Sequence, residues 1–222
     1  YNNLGNLLIK NQFDENKKRA EDLFNQSIAI NNQIPESYNN LGNLYHKDNK
    51  HKEAIINFKK ALNVNPNFYF AHHNIALIYI SVGKLTNARK HLNEAIKLNK
   101  NFLISHRSLS RITKFKKNSP ELLKLKKNYD LIKNEEKFEI SFSLGKAYED
   151  INDYSQSFYF YKEANSIYRK KIIYSSDKEE EKFKNIKKIF NKDLFLNKES
   201  FGNINSSPIF IVGMPRSGTT LV

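Results

Sequence analysis

Apolar and small residues recur along this chain with helical spacing, and the whole pattern then recurs at a fixed interval. Leu41, Leu44 and Tyr45 stand at i, i+3 and i+4, on one face of a predicted helix, and Ala54, Phe58 and Ala61 share a face of the next. The stretch "NVNPN", residues 63–67, ends that second helix, because Pro66 cannot continue it and restricts the residue before it. His72, Ile75, Ala76 and Tyr79, then Ala88, Leu92 and Ala95, each fall 34 residues after their counterparts. The string "YNNLGNL" occurs twice, at residues 1–7 and 38–44. Around the first copy, Leu4, Gly5 and Leu8 are followed by Ala20, Phe24 and Ser27, with an inter-helix loop, residues 11–17, predicted to be three residues longer. A later echo reads Leu144, Gly145, Tyr148, Ser157, Tyr161 and Ala164.

Repetition at this period, with small residues at Gly42 and Ala54 and a large one at Phe58, resembles the tetratricopeptide repeat, a helix–turn–helix unit. The small residues let paired helices approach, and the large one fills the space between units. The fold class predicted is therefore mostly all-α: a solenoid over residues 1–171, in units of about 1–34, 35–68, 69–102, a diverged 103–137, and 138–171. In the diverged unit, helical patterns cover residues 104–114 and 120–133, with Ser119 as N-cap and Pro120 in the first turn. A charged helix is predicted over 177–191, and "NKESFGNINSSP", within a helix-and-linker region of 172–207, reads as a turn-rich linker. The run "PIFIV" after it changes period and has the signature of a short buried strand. The chain opens at the fourth position of a repeat, without Met, and closes just after a loop, so it is expected to be a fragment.

Composition adds a charge and removes some chemistry. With 37 Lys and Arg against 23 Asp and Glu, the formal net charge is +14, and there is no cysteine, which excludes a disulfide framework and thiolate metal sites. The excess is concentrated over residues 107–133, where only Glu121 and Asp130 are acidic. Such a surface favours acidic partners, although a Lys-rich solvated face has the same composition. No apolar run is long enough to span a membrane. No recognised nucleic-acid-reading motif is present, and the aromatics fall on core positions. No targeting segment is visible, but with the N-terminus expected to be missing this absence is uninformative, and the compartment is left open with the cytoplasm only as a weak default.

The stretch "GMPRSGTT" is predicted to leave the strand as a phosphate-gripping loop. Gly213 and Gly218 bracket the turn, Ser217 to Thr220 open a helix whose N–H groups point at an anion, and Arg216 offers a planar fork for two oxygens. A nucleotide-triphosphate loop needs Lys where Thr219 stands, so that chemistry is poorly supported. The hexapeptide Pro215-Arg216-Ser217-Gly218-Thr219-Thr220 resembles the 5′-phosphosulfate loop of sulfotransferases. Its Pro-Arg form is most similar to tyrosylprotein sulfotransferases and to bacterial proteins that join tetratricopeptide repeats to a sulfotransferase domain. The resemblance implies that residues 208–222 begin a truncated α/β sulfotransferase domain. It implies 3′-phosphoadenosine 5′-phosphosulfate as co-substrate, held by Arg216, Ser217, Gly218, Thr219 and Thr220, and no metal. Sulfuryl transfer to a hydroxyl, protein tyrosine among the candidates, would use Arg216 and the loop amides to stabilise the leaving phosphate. A general base and the 3′-phosphate contacts would lie past Val222, so these 222 residues alone are expected to be inactive. The alternative is a non-enzymatic tetratricopeptide scaffold whose C-terminal motif is incidental.

In such arrays the first helix of each pair lines a groove. Asn3, Asn40 and Asn74 share one repeat position and Asn6 and Asn43 a second, and an amide ladder can pair with the backbone of an extended polypeptide. Arg107, Arg111 and Lys114 are expected on the same side, which suits an acidic polypeptide. His72, His73, His91 and His106 lack neighbours that would complete a ligand set, and His72 and His106 are read as packing residues.

Overall fold

The computed structural model describes residues 1–10, 14–172, 174–191 and 193–194. The chain divides into two compact units, Tyr1–Ile172 and Ile173–Val222. In the first, α1 (Asn2–Lys10), α2 (Asp14–Ile30), α3 (Pro35–Lys47), α4 (His51–Val64), α5 (Tyr69–Ser81) and α6 (Leu85–Leu98) are followed by α7 (Leu103–Arg111) and α8 (Pro120–Leu131). A 3-10 turn (Asn134–Glu136), α9 (Phe138–Asp150) and α10 (Tyr154–Arg169) complete it. In the second unit the described helix is α11 (Ser176–Ile189), whose first turn is capped by Ser175 Oγ accepting from the Lys178 N–H at 3.4 Å. All regular structure among the described residues is helical. The strand and phosphate loop expected over residues 208–222 lie outside them.

Helices α1 with α2, α3 with α4, α5 with α6 and α9 with α10 pack as antiparallel hairpins, and each second helix also meets the next first helix, giving an α-solenoid. The close approach inside each hairpin has an identifiable cause. A Cβ placed on Gly42 would stand 2.6 Å from Phe58 Cε1, one on Gly5 2.6 Å from Phe24 Cε1, and one on Gly145 2.7 Å from Tyr161 Cδ1. Where the third hairpin has Ala76 at the equivalent position, the facing residue is the smaller Leu92, and both are fully buried. Volume is thus conserved pair by pair.

The turns repeat as regularly as the helices. Asn49 and Gly83, 34 residues apart, and Asn152 take left-handed backbone (φ 59°, 74° and 62°) at the hairpin tips, a conformation open to Gly and tolerated by Asn. Between hairpins, Asn31, Asn65 and Asn99 each accept, through Oδ1, the N–H two residues on, at 2.9, 2.9 and 3.0 Å. These Asx turns give part of the Asn-rich composition a local structural purpose.

Two stretches differ from the expectation drawn from sequence. Residues 14–17, expected in a loop, are the first turn of α2, so the longer first unit puts part of its extra length into helix. Helix α7 ends at Arg111 rather than 114, and residues 112–119 turn away from it. Asp150 holds that segment, accepting from the Phe115 N–H at 3.0 Å, from Lys114 Nζ at 3.0 Å and from Lys146 Nζ. Lys146 Nζ also donates to the Thr113 carbonyl at 2.7 Å.

Helix α8 starts as the sequence implies, with Ser119 Oγ accepting from the Leu122 N–H at 3.3 Å and Pro120 next. It packs mainly on α9 rather than closing a hairpin with α7, and buries Leu122 and Leu125 in a cluster with Phe115, Ile140, Leu144 and Phe160. The reason lies in four positions. The places of Gly42, Ala54, Phe58 and Ala61 are taken, 68 residues on, by Ser110, Leu122, Lys126 and Tyr129. Bulk replaces both alanines, and a charge replaces the interlocking ring. The stack still continues, because α7 packs on both α6 and α9.

Candidate peptide-binding face

The first helices α1, α3, α5, α7 and α9 are joined laterally by polar side chains. Asn2 Nδ2 donates to Ser37 Oγ at 2.7 Å, and Asn74 Nδ2 to Asn39 Oδ1 at 2.9 Å. His73 Nδ1 meets Ser105 Oγ at 2.9 Å, and Arg107 Nη1 meets Glu139 Oε2 at 3.0 Å. Each bond crosses from one first helix to the next. Ser37, Ser105, His73 and Glu139 are all buried, so the seam satisfies polar groups that would otherwise be costly to bury. Burial also pushes the His73 imidazole down to about 4, which keeps it neutral in this seam near pH 7.

This seam separates the residues singled out from sequence into two kinds. Asn74 and Arg107 belong to it: the amide of Asn74 is bonded to Asn39, and the guanidinium of Arg107 lies over the Phe142 ring, 4.2 Å from its centroid, while paired with Glu139. Asn3, Asn6 and Arg111 are exposed, and Asn40 and Asn43 are half-buried. Lys114, expected to share a helical side with Arg107 and Arg111, lies past the end of α7 and pairs with Asp150. The basic stripe expected along α7 is therefore reduced to Arg111.

Sequence reasoning missed the apolar part of the same helices. Glu36, Phe70 and Ile104 share one repeat position, all three are exposed, and Phe70 and Ile104 retain 40% and 47% of their accessible surface. Phe70 packs against the tilted ring of Tyr69 and edge-to-face with Phe102, at ring-centroid separations of 4.2 and 5.2 Å. A shallow concavity of about 570 Å³ opens beside Ile104, lined by Phe102, Leu131, Ile132 and Phe138. The signal was available in the 34-residue register, which places Phe70 and Ile104 four residues before Asn74 and Ser108.

The histidines are placed by packing and local bonds. His72 Nδ1 lies 3.1 Å from His91 Nδ1, and His106 Nε2–H donates to the Lys100 carbonyl at 3.0 Å. Arg216, Ser217, Gly218, Thr219 and Thr220 lie outside the described residues. Among the described residues no helix is long and apolar enough to cross a membrane.

Helical hairpins repeating every 34 residues, with a small residue in the first helix against a ring or Leu in the second, match one known family over two stretches. Residues 35–68 and 71–102 are tetratricopeptide repeats. The solenoid is similar in fold to the crystal structure of MamA, at 17% identity and a TM-score of 0.54, covering 73% of this chain and 94% of that one. It is similarly close to a MamA RS-1 ArsTM double mutant, at 14% identity and a TM-score of 0.54, over 76% of this chain and 93% of that one. No curated protein matches the chain. Beside the two tetratricopeptide repeats, the α1–α2 and α9–α10 hairpins carry the small-against-aromatic contact of Gly42–Phe58, at Gly5–Phe24 and Gly145–Tyr161.

Proposed function

We propose that this solenoid is a protein-interaction scaffold that takes an extended polypeptide across its first helices. One observation carries the reading: accessible amides on α1 and α3, at Asn3, Asn40 and Asn43, are followed on the next first helices, α5 and α7, by exposed apolar residues at one shared repeat position, Phe70 and Ile104. An amide offers a donor and an acceptor to a peptide backbone, while Phe70 and Ile104 offer anchors for alternate side chains. A preference for acidic clients rests on Arg111 and on the net charge of +14. The test is fluorescence anisotropy with acidic and neutral Tyr-containing peptides. Asn40→Ala with Asn43→Ala is expected to weaken binding about tenfold, the loss of one or two hydrogen bonds, while leaving the melting temperature in place. Unchanged affinity refutes the face. Asn74→Ala is expected to lower stability as well, because it breaks the bond to Asn39.

A second reading rests on sequence alone. The run "PIFIV" followed by Pro215-Arg216-Ser217-Gly218-Thr219-Thr220 favours sulfuryl transfer from 3′-phosphoadenosine 5′-phosphosulfate, with the scaffold presenting a polypeptide hydroxyl. The assay is release of adenosine 3′,5′-bisphosphate by the full-length protein in the presence of an acidic Tyr-containing peptide. Peptide-dependent release that Arg216→Ala abolishes supports this reading, and neither donor binding nor release leaves the scaffold alone.

A further inference from the structure

The failure of α8 to close on α7 leaves a cavity of about 200 Å³ bounded by α6, α7 and α8. We propose that this cavity is a binding site for a small amphipathic carboxylate, an aromatic or branched apolar body with a carboxylate at one end. Its wall on α7 comes from His106, Leu109 and Ser110, whereas Ile104, Arg107 and Arg111 belong to other sides of that helix. The site is thus distinct from the polypeptide face, and it does not depend on that reading.

The lining sorts by chemistry. Ile96, Leu109, Phe115 and Leu125 supply apolar surface, enough in a cavity of this size to hold one ring, since an apolar cavity of about 150 Å³ takes benzene. The polar groups of the wall are largely committed. Ser110 Oγ donates to the Arg107 carbonyl at 2.7 Å and Thr113 Oγ1 to the Leu109 carbonyl at 2.7 Å. Arg89 donates to Thr113 Oγ1 at 3.0 Å and to the Ile112 carbonyl at 2.7 Å, which fixes a guanidinium at the cavity edge. Lys124 is exposed, forms no ion pair among the described residues, and lies close enough to His106 to push that imidazole further down, after the larger effect of burial. Asn93 and Asn128 add amides, against a single carboxylate, Glu121. Apolar surface beside two cations and two amides fits an apolar group with an anionic end. The same chemistry belongs to a free aryl or branched acid and to the C-terminal residue of a polypeptide.

The experiment titrates the protein with N-acetyl-phenylalanine, its neutral amide and phenylacetate, following backbone NMR signals of Ser110, Thr113 and Leu125. Saturable shifts at these residues are expected with the acids. Binding about tenfold weaker is expected for the amide and for Lys124→Glu, and none for Asn93→Trp, which obstructs the cavity from an exposed position. Comparable binding of phenylacetate points to a free acid, and a preference for the N-acetylated amino acid points to a chain terminus. Absence of saturable shifts with every probe, shifts confined to the first helices, or unchanged affinity in Lys124→Glu overturns the proposal.

Discussion

Substituting Gly42 by Ala tests the packing rule that builds every hairpin. The added methyl would stand 2.6 Å from Phe58 Cε1 and 2.7 Å from Cδ1, and Phe58 is fully buried, so the ring has no open space to move into. Overpacking of this kind costs roughly 1–3 kcal/mol, and the better helix propensity of Ala returns about 1 kcal/mol, leaving a net loss of about 1 kcal/mol. Phe58→Leu alone removes ring volume from a filled site and is expected to cost about 1–2 kcal/mol, a fraction of full truncation to Ala. The double variant recreates the pairing that the next hairpin already uses, Ala76 against Leu92. Its cost should fall short of the sum of the two single costs by about 1 kcal/mol. Urea denaturation followed by circular dichroism on the four proteins measures that coupling. Additive costs, or a double variant less stable than the sum, would refute the claim that these two positions share one volume.

Two further predictions concern pH. Burial alone would raise the Asp150 carboxyl, but hydrogen bonds from Lys146, the Phe115 N–H and Lys114 outweigh it and hold the group below its ordinary value of 3.8. A depressed carboxyl stabilises the fold above its unfolded value and loses that effect as pH falls through the folded one. Asp150→Asn should therefore cost roughly 1–2 kcal/mol at pH 7 and release residues 112–119, with the difference from wild type shrinking below about pH 4; a constant difference at all pH values would argue against this clamp. His73, pushed by burial from 6.5 to about 4, binds protons more readily unfolded than folded, so stability is full above 6.5 and falls as pH drops towards 4. His73→Gln should remove up to about 3 kcal/mol of that pH dependence, read from denaturation curves across the window, and an unchanged slope would place the titration elsewhere.

Much of the solenoid is legible in the sequence because the information is local and repeated. Leu41, Phe58 and Ala61 lie on the buried faces of their helices, and the 34-residue interval carries the same faces into the next unit. The Ser119–Pro120 start of α8 is legible for the same reason, since a cap and its first turn need only neighbouring residues. What the sequence could not show is which polar side chains are consumed by packing. Asn74 and Asn40 occupy one repeat position, yet Asn74 donates to Asn39 while Asn40 lies half-buried on the adjacent helix. Arg107 reads as a groove cation until Glu139 and Phe142, 32 and 35 residues away, are brought against it. Only the tertiary structure decided those pairings, because they depend on the offset between adjacent helices, which no single helix encodes. It also decided the fate of residues 103–131. Their helical pattern is intact, but the bulk of Leu122 and Tyr129 stops α8 from closing on α7, and a repeat that would have been filled became a cavity.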